Sequence, residues 1–167
     1  GVTETLERLE DYVTNYNTSG LKLYTFDSTP QKGWWFDDEK RAYPIWEKCL
    51  ELGINNVGCH KGIPFGQFMA RYAHVEDFDK ACDDFLDINF IAFHSAWPYH
   101  EELAALKMFK PQRTNLFCEL GSTFAATVSS RPIDCAHVLG TLLRDVGSDY
   151  VMWGTDSLLW GNPQWQI

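Results

Sequence analysis

Positive charge is scarce in this chain: 14 Lys and Arg stand against 23 Asp and Glu, a formal net charge of -9 over 167 residues. Nucleic-acid and anionic-membrane binders displace counterions with clustered Lys and Arg, so neither partner is expected. No run of about 18 apolar residues occurs, so no transmembrane helix is expected. The opening Gly1-Val2-Thr3-Glu4-Thr5-Leu6 has neither the basic start nor the apolar core of a secretory signal, and its lack of Met points to a start that is not the natural one. The five cysteines, Cys49, Cys59, Cys82, Cys118 and Cys135, are odd in number and form no CxxC pair. They read as reduced, buried thiols of a cytoplasmic protein. The P-loop, GxGxxG, GxSxG and HExxH patterns are all missing, which removes the common nucleotide-binding, serine-hydrolase and zincin classes. A small-molecule partner is what these exclusions leave.

What is present is apolar and regularly punctuated. A hydrophobic content of 45% with seven Trp is enough to fill one core, so residues 1–167 read as a single domain. Leu6, Leu9, Tyr12, Val13 and Tyr16 recur at helical spacing from about Thr3 to Tyr16, with Gly20 as the stop. Strands are predicted at Leu21–Thr25, Ile54–Cys59, Ile88–Phe93, Thr114–Cys118 and Tyr150–Trp153. Between them, Asp37-Asp38 is an N-cap signal for a helix carrying Ile45, Trp46, Cys49 and Leu50 and ending at Gly53. Asp77 begins a helix over Phe78–Asp87, and further helices span Tyr99–Phe109 and Ile133–Val146. Strand and helix alternate without a hairpin signal, the pattern of a parallel α/β sheet. A complete (β/α)8 TIM barrel takes about 250 residues, so five units read as an internal piece of one, short by roughly three strand-helix units. A small open sheet of the flavodoxin type also suits five strands, but no Gly-rich first turn supports it.

Three apolar runs end in polar residues. Val57-Gly58-Cys59-His60 precedes Lys61-Gly62-Ile63-Pro64, Phe90-Ile91-Ala92-Phe93-His94 precedes Ser95-Ala96-Trp97-Pro98, and Val151-Met152-Trp153-Gly154 leads into Thr155-Asp156-Ser157. In a parallel sheet all C-terminal strand ends gather at one face, which brings Lys22, His60, His94, Glu119 and Asp156 to one level. Two imidazoles and a carboxylate suit zinc or a similar divalent ion. Such an ion lowers the pKa of bound water toward about 7 and polarises a carbonyl, with a nearby His or Asp moving the proton. A lone strand-end histidine is more often a hydrogen-bonded structural residue, but two in successive units followed by an Asp reverse that weighting. Asp156 could still cap its own turn. Lys22 and Glu119 stand equally between substrate contact and structural or surface roles. Trp34, Trp35, Trp97 and Trp160 fall in the loops that rim the mouth, where large rings either wall a pocket or cover the barrel end. Trp97 is grouped with Lys22 and Glu119 as substrate-binding. His74, His100 and His137 read as solvated surface residues.

These residues resemble the amidohydrolase superfamily, in its amidohydrolase-related branch of metal-dependent hydrolases and decarboxylases. Val151–Ser157 with Gly161-Asn162-Pro163-Gln164-Trp165-Gln166-Ile167 is similar to that branch's strand-eight segment. Asp37-Asp38, Glu51-Leu52-Gly53 and Val57–Gly62 are similar to its approach to strand five. The resemblance implies a partial barrel, strands four to eight, with zinc as the divalent metal. It implies that His60 is the strand-five metal ligand, and that His94 is the strand-six histidine, a metal ligand or a proton-transfer residue. Asp156 then corresponds to the strand-eight aspartate, which binds metal and takes a proton from attacking water. Lys22 is similar to the strand-four lysine that some members carboxylate. The family's His-x-His pair occurs nowhere in the chain, so the implied coordination sphere is incomplete. The expected activity is attack of metal-activated water on a C-N or C-O bond of a small carbonyl substrate. Non-oxidative decarboxylation of an aromatic or unsaturated acid is the alternative. A rival of another class is a non-catalytic assembly protein, since terminal strands with unpaired edges invite a homo-oligomer.

Overall fold

Five short apolar runs pair side by side as parallel strands, because each is followed by a helix that carries the chain back before the next strand begins. The computed structural model describes residues 1–26, 32–66 and 68–167. In chain order the elements are α1 (Val2–Tyr16), β1 (Gly20–Tyr24), α2 (Tyr43–Glu51), β2 (Asn56–His60), α3 (Ala70–Ala73), α4 (Glu76–Asp84) and β3 (Asn89–Phe93). They continue with a 3-10 turn (His94–Ala96), α5 (His100–Met108), β4 (Leu116–Glu119), α6 (Gly121–Ser130), α7 (Pro132–Asp145), β5 (Val151–Met152) and α8 (Ser157–Trp160). The sheet order is β1-β2-β3-β4-β5, all parallel. Its register pairs Tyr24 with His60, His60 with Phe93, and Glu119 with Met152, so the C-terminal ends stand level.

The two faces of the sheet differ in composition. Val57, Cys59, Phe90, Ala92, Leu116 and Cys118 point one way and are fully buried in one cluster with helix residues such as Ile45, Trp46, Phe78, Leu103 and Leu142. Each fully buried large apolar side chain contributes on the order of 1.5–3 kcal/mol. Phe36 anchors the cluster, its ring 4.4 Å from that of Trp46 and 4.7 Å from that of Phe78. The alternate residues Lys22, Gly58, Ile91 and Phe117 point the other way and remain at least partly exposed, apart from Gly58. His60, at the end of β2, lies on this same face.

Several boundaries differ from the sequence expectation for local reasons. The α1 helix ends at Asn17, which takes a left-handed conformation (φ 52), and Gly20 instead opens β1. Asp38 does not cap α2. Its carboxylate accepts the backbone N-H groups of Lys40 and Arg41 within a turn, and α2 starts later, with Pro44 in its first turn. Asp77 lies inside the first turn of α4, where its carboxylate is drawn into the core by Lys61. The α6 helix has no counterpart in the sequence reading. All five cysteines are buried and free, and burial pushes the Cys59 and Cys118 thiols up to about 12. Among the described residues no helix is long and apolar enough to cross a membrane.

Candidate active site at the strand tips

The β3 strand ends in an unusual turn: His94, Ser95 and Ala96 all have positive φ, at 62, 45 and 55°. Left-handed backbone costs a non-glycine residue roughly 1–2 kcal/mol, so three in succession require surrounding bonds to hold them. Those bonds are present. The His94 N-H donates to Glu119 Oε2 at 3.2 Å, the Ser95 hydroxyl to the Glu119 carbonyl at 3.0 Å, and the Thr123 hydroxyl to the His94 carbonyl at 2.6 Å. On the other side the β2 loop presses close. Gly62 has φ +64, and a Cβ there would stand 2.2 Å from the Ala96 carbonyl carbon and the Trp97 oxygen. The adjacent Ile63 N-H donates to that Trp97 oxygen at 2.7 Å. These constraints turn His94 inward, where it is 3% exposed.

His94 meets His60 there. His94 Nε2 lies 3.0 Å from His60 Nδ1, and His60 Nε2 lies 3.2 Å from the Ile63 carbonyl oxygen. Burial holds both imidazoles below their ordinary range, and Lys22 acts in the same direction on each. His94, with His60 beside it, is lowered to about 3. Both rings are therefore neutral near pH 7, which fixes the tautomers by the hydrogen-bond network. A carbonyl only accepts, so His60 carries its proton on Nε2. His60 Nδ1 must then accept, so His94 carries its proton on Nε2. The remaining nitrogen, His94 Nδ1, is a bare lone pair. It is buried without a hydrogen-bond partner and lies 4.0 Å from Asp156 Oδ2.

Asp156 is positioned from the other side. It has φ 47 at the start of α8, and its Oδ2 accepts a hydrogen bond from the Ser122 hydroxyl. The Trp160 indole N-H in turn donates to Ser122 Oγ at 2.8 Å. One carboxylate oxygen is thus held by protein while the other is available. A cavity of about 470 Å³ opens over this group. Its walls include Tyr24, Phe65, Leu158 and Trp160, with Lys22 as its cation.

The residues singled out from sequence separate into two groups. Lys22, His60, His94 and Asp156 line this one cavity. The Lys22 ammonium sits over the Phe93 ring at 4.0 Å. Glu119 lies underneath, its two oxygens spent on the N-H groups of His94 and Gly121, and burial raises its carboxyl above the usual range. Gly154 allows this, since a Cβ there would stand 1.7 Å from Glu119 Oε1. Trp97 packs against the main core with Arg131 over its ring and is not among the residues lining the cavity. Trp34 is likewise a core residue, and Trp35 packs on Tyr72. Of the four tryptophans, Trp160 is the one at the cavity. Sequence reasoning missed Ser122. Its signal was Glu119-Leu120-Gly121-Ser122, a strand-tip segment equivalent to those that begin at His60 and His94. His100, expected on the surface, is instead buried.

The donor set fits a divalent ion in kind: two neutral imidazoles, one with a buried unpartnered nitrogen, and a carboxylate beside it. It is not closed up around one point. Among the described residues, the three metal-ligating side chains whose donor atoms all lie within 4.8 Å of one another are His100, Glu101 and His137, on the helices.

A family model for amidohydrolases matches residues 2–166 of the chain. Among solved structures, the chain is similar to an uncharacterised TIM-barrel protein from Bordetella bronchiseptica, with 19% identity and a TM-score of 0.68 over 92% of this chain and 49% of that one. It is also similar to the dihydroorotase of Campylobacter jejuni, with 17% identity and a TM-score of 0.57 over 91% of this chain and 48% of that one. These likenesses show the fold, five parallel βα units of a TIM barrel, and the chain spans about half the length of either structure. No curated protein matches the chain by sequence.

Proposed function

The chain belongs to the amidohydrolase family, and on that premise we propose that its strand-tip cavity serves metal-assisted hydrolysis of a C-N or C-O bond in a small carbonyl compound. The observation that carries this reading is the hydrogen bond between His60 and His94, which leaves a bare, buried imidazole nitrogen 4.0 Å from Asp156 Oδ2. His94 Nδ1 and Asp156 would hold the ion, and His60 would join them by releasing its Nδ1 from the bond to His94. The ion's contribution is to polarise the substrate carbonyl and to acidify a water molecule.

The chain's own residues do the rest. Asp156, with Oδ2 fixed by the Ser122 hydroxyl, accepts a proton at its free oxygen from the attacking water. His94 Nδ1, unprotonated near pH 7, presents a lone pair at the same place. Because its proton sits on Nε2, between the two rings, His94 is held in one tautomer and one orientation by His60. Tyr24, Phe65 and Trp160 exclude water from an apolar substrate body, and Lys22 supplies positive charge for a substrate oxygen. That last pairing, a cation at the edge of an apolar cavity, also suits an aromatic or unsaturated carboxylic acid, which keeps decarboxylation as the second reading.

The test is a panel of small amides, esters, lactones and aromatic carboxylic acids, run with added zinc or manganese, beside Asp156→Asn prepared identically. Turnover of one class, lost in the variant by at least about 100-fold, supports the reading at the lower end of what removal of a general base costs. Equal turnover in both proteins contradicts it.

A further inference from the structure

The helical layer carries a second set of donors that the strand-tip chemistry does not use. His100 and Glu101 open α5, and His137 projects from the second turn of α7, the helix packed against it. One donor atom from each lies within 4.8 Å of the other two. His137 Nε2 and Glu101 Oε1 are 2.8 Å apart, and the rings of His100 and His137 stand nearly perpendicular with centroids 5.4 Å apart. The independent observation is His100. It is 6% exposed, and neither of its buried ring nitrogens makes a hydrogen bond of good geometry, the nearby Pro98 backbone included. A buried imidazole with no partner is costly to keep in a folded protein, and a ligand that used one nitrogen would remove that cost.

We propose that His100, Glu101 and His137 form a divalent-metal site, selective for zinc-like ions, that clamps α5 to α7. Two imidazoles and one carboxylate suit zinc, nickel or cobalt rather than magnesium or calcium, which prefer all-oxygen surroundings. Zinc bonds of about 2.0–2.1 Å in a tetrahedron place ligand atoms about 3.4 Å apart, so the side chains need only small rotations to close on an ion. Glu101 and His137 are 67% and 58% exposed, so the ion enters from solvent and keeps a fourth position for water. Binding replaces the contact between Glu101 and His137 and joins two helices. Three residues separate the left-handed His94–Ala96 turn from the α5 N-terminus, so the clamp also steadies the loop that aims His94.

The site is tested by titrating zinc chloride into the chain with ¹⁵N-labelled histidine, observing ring resonances by NMR and thermal unfolding in parallel. His100 is too buried to be the diagnostic substitution, so the variants are the exposed His137→Ala and Glu101→Ala. The proposal expects His100 ring nitrogens to shift to saturation at one equivalent and Tm to rise. It expects the affinity read at His100 to fall at least about tenfold in each variant, since even loss of an outer partner of a metal site costs that much. His100 resonances that do not move at excess zinc overturn it. So does an unchanged His100 response in His137→Ala.

Discussion

Glu119 ties two strand-tip loops together: Oε2 accepts the backbone N-H of His94 at 3.2 Å while Oε1 accepts that of Gly121 at 2.8 Å. It is a positioning residue, since neither oxygen is left for substrate. In Glu119→Gln the amide NH2 must face one of these N-H donors, so one bond is lost and a buried donor goes unpaired. The expected cost is about 1–3 kcal/mol, read as a fall in urea midpoint at unchanged m-value. A midpoint equal to wild type would remove Glu119 from this role.

Gly154 leaves the space that this carboxylate occupies. In Gly154→Ala the new Cβ meets Glu119 Oε1 at 1.7 Å and its Cδ at 2.8 Å. Glu119 is pinned at both oxygens and cannot yield without releasing the His94 loop. We expect a loss of about 1–3 kcal/mol, typical of overpacking, together with a change in the His94 amide chemical shift. An alanine variant with wild-type stability and spectrum would show that the carboxylate moves freely.

Lys61 and Asp77 form an ion pair of 2.6 Å with side chains 0% and 1% exposed. Asp77 Oδ2 also accepts the Phe36 N-H at 2.8 Å, while Lys61 donates to the Tyr72 carbonyl at 3.1 Å. Lys61→Met leaves a buried carboxylate without its cation, which costs roughly 3–5 kcal/mol. Calorimetry should show a large drop in Tm. A drop of a degree or two would mean that the pair is solvated.

The pH dependence of stability follows from His94. Its folded pKa is about 3 against an ordinary 6.5, so between those values the unfolded chain binds a proton that the folded chain refuses. This contribution is present above pH 6.5 and is lost as pH falls toward 3. Glu119 acts with the opposite sign: its raised pKa gives stability below 4.5 that is lost as pH rises through the folded value. In metal-free protein, His94→Gln should flatten the stability curve between about pH 4 and 6 by up to about 1.4 kcal/mol per pH unit, one proton's worth. Urea midpoints across that range check it, and parallel curves for the two proteins would contradict the buried neutral state of His94.

Much of this architecture is legible in sequence because it rests on periodicity and punctuation. The runs ending at Thr25, Cys59, Phe93, Cys118 and Trp153 mark all five strands to within about two residues at each end, and the parallel register then aligns their tips. Where the reading failed, side chains override local propensity. The α6 segment, Gly-Ser-Thr-Phe-Ala-Ala-Thr-Val-Ser-Ser, is rich in β-branched and hydroxyl residues and has weak helix propensity. It is helical because Ser122 and Thr123 are buried with their hydroxyls bonded to Asp156 and to the His94 carbonyl, groups far away in the chain. No local pattern encodes such partners. The burial of His100 has the same origin, since it depends on α7 crossing α5, a long-range packing event.

The proposed function requires His60, His94 and Asp156 to act as one metal-binding group. The most direct measurement is the ¹⁵N ring spectrum of His60 and His94 during zinc titration, in wild type and in Asp156→Asn. Both rings should shift in wild type, and the response should weaken strongly in the variant. Resonances of His60 and His94 that stay fixed at excess zinc would contradict it, whatever the helical histidines do.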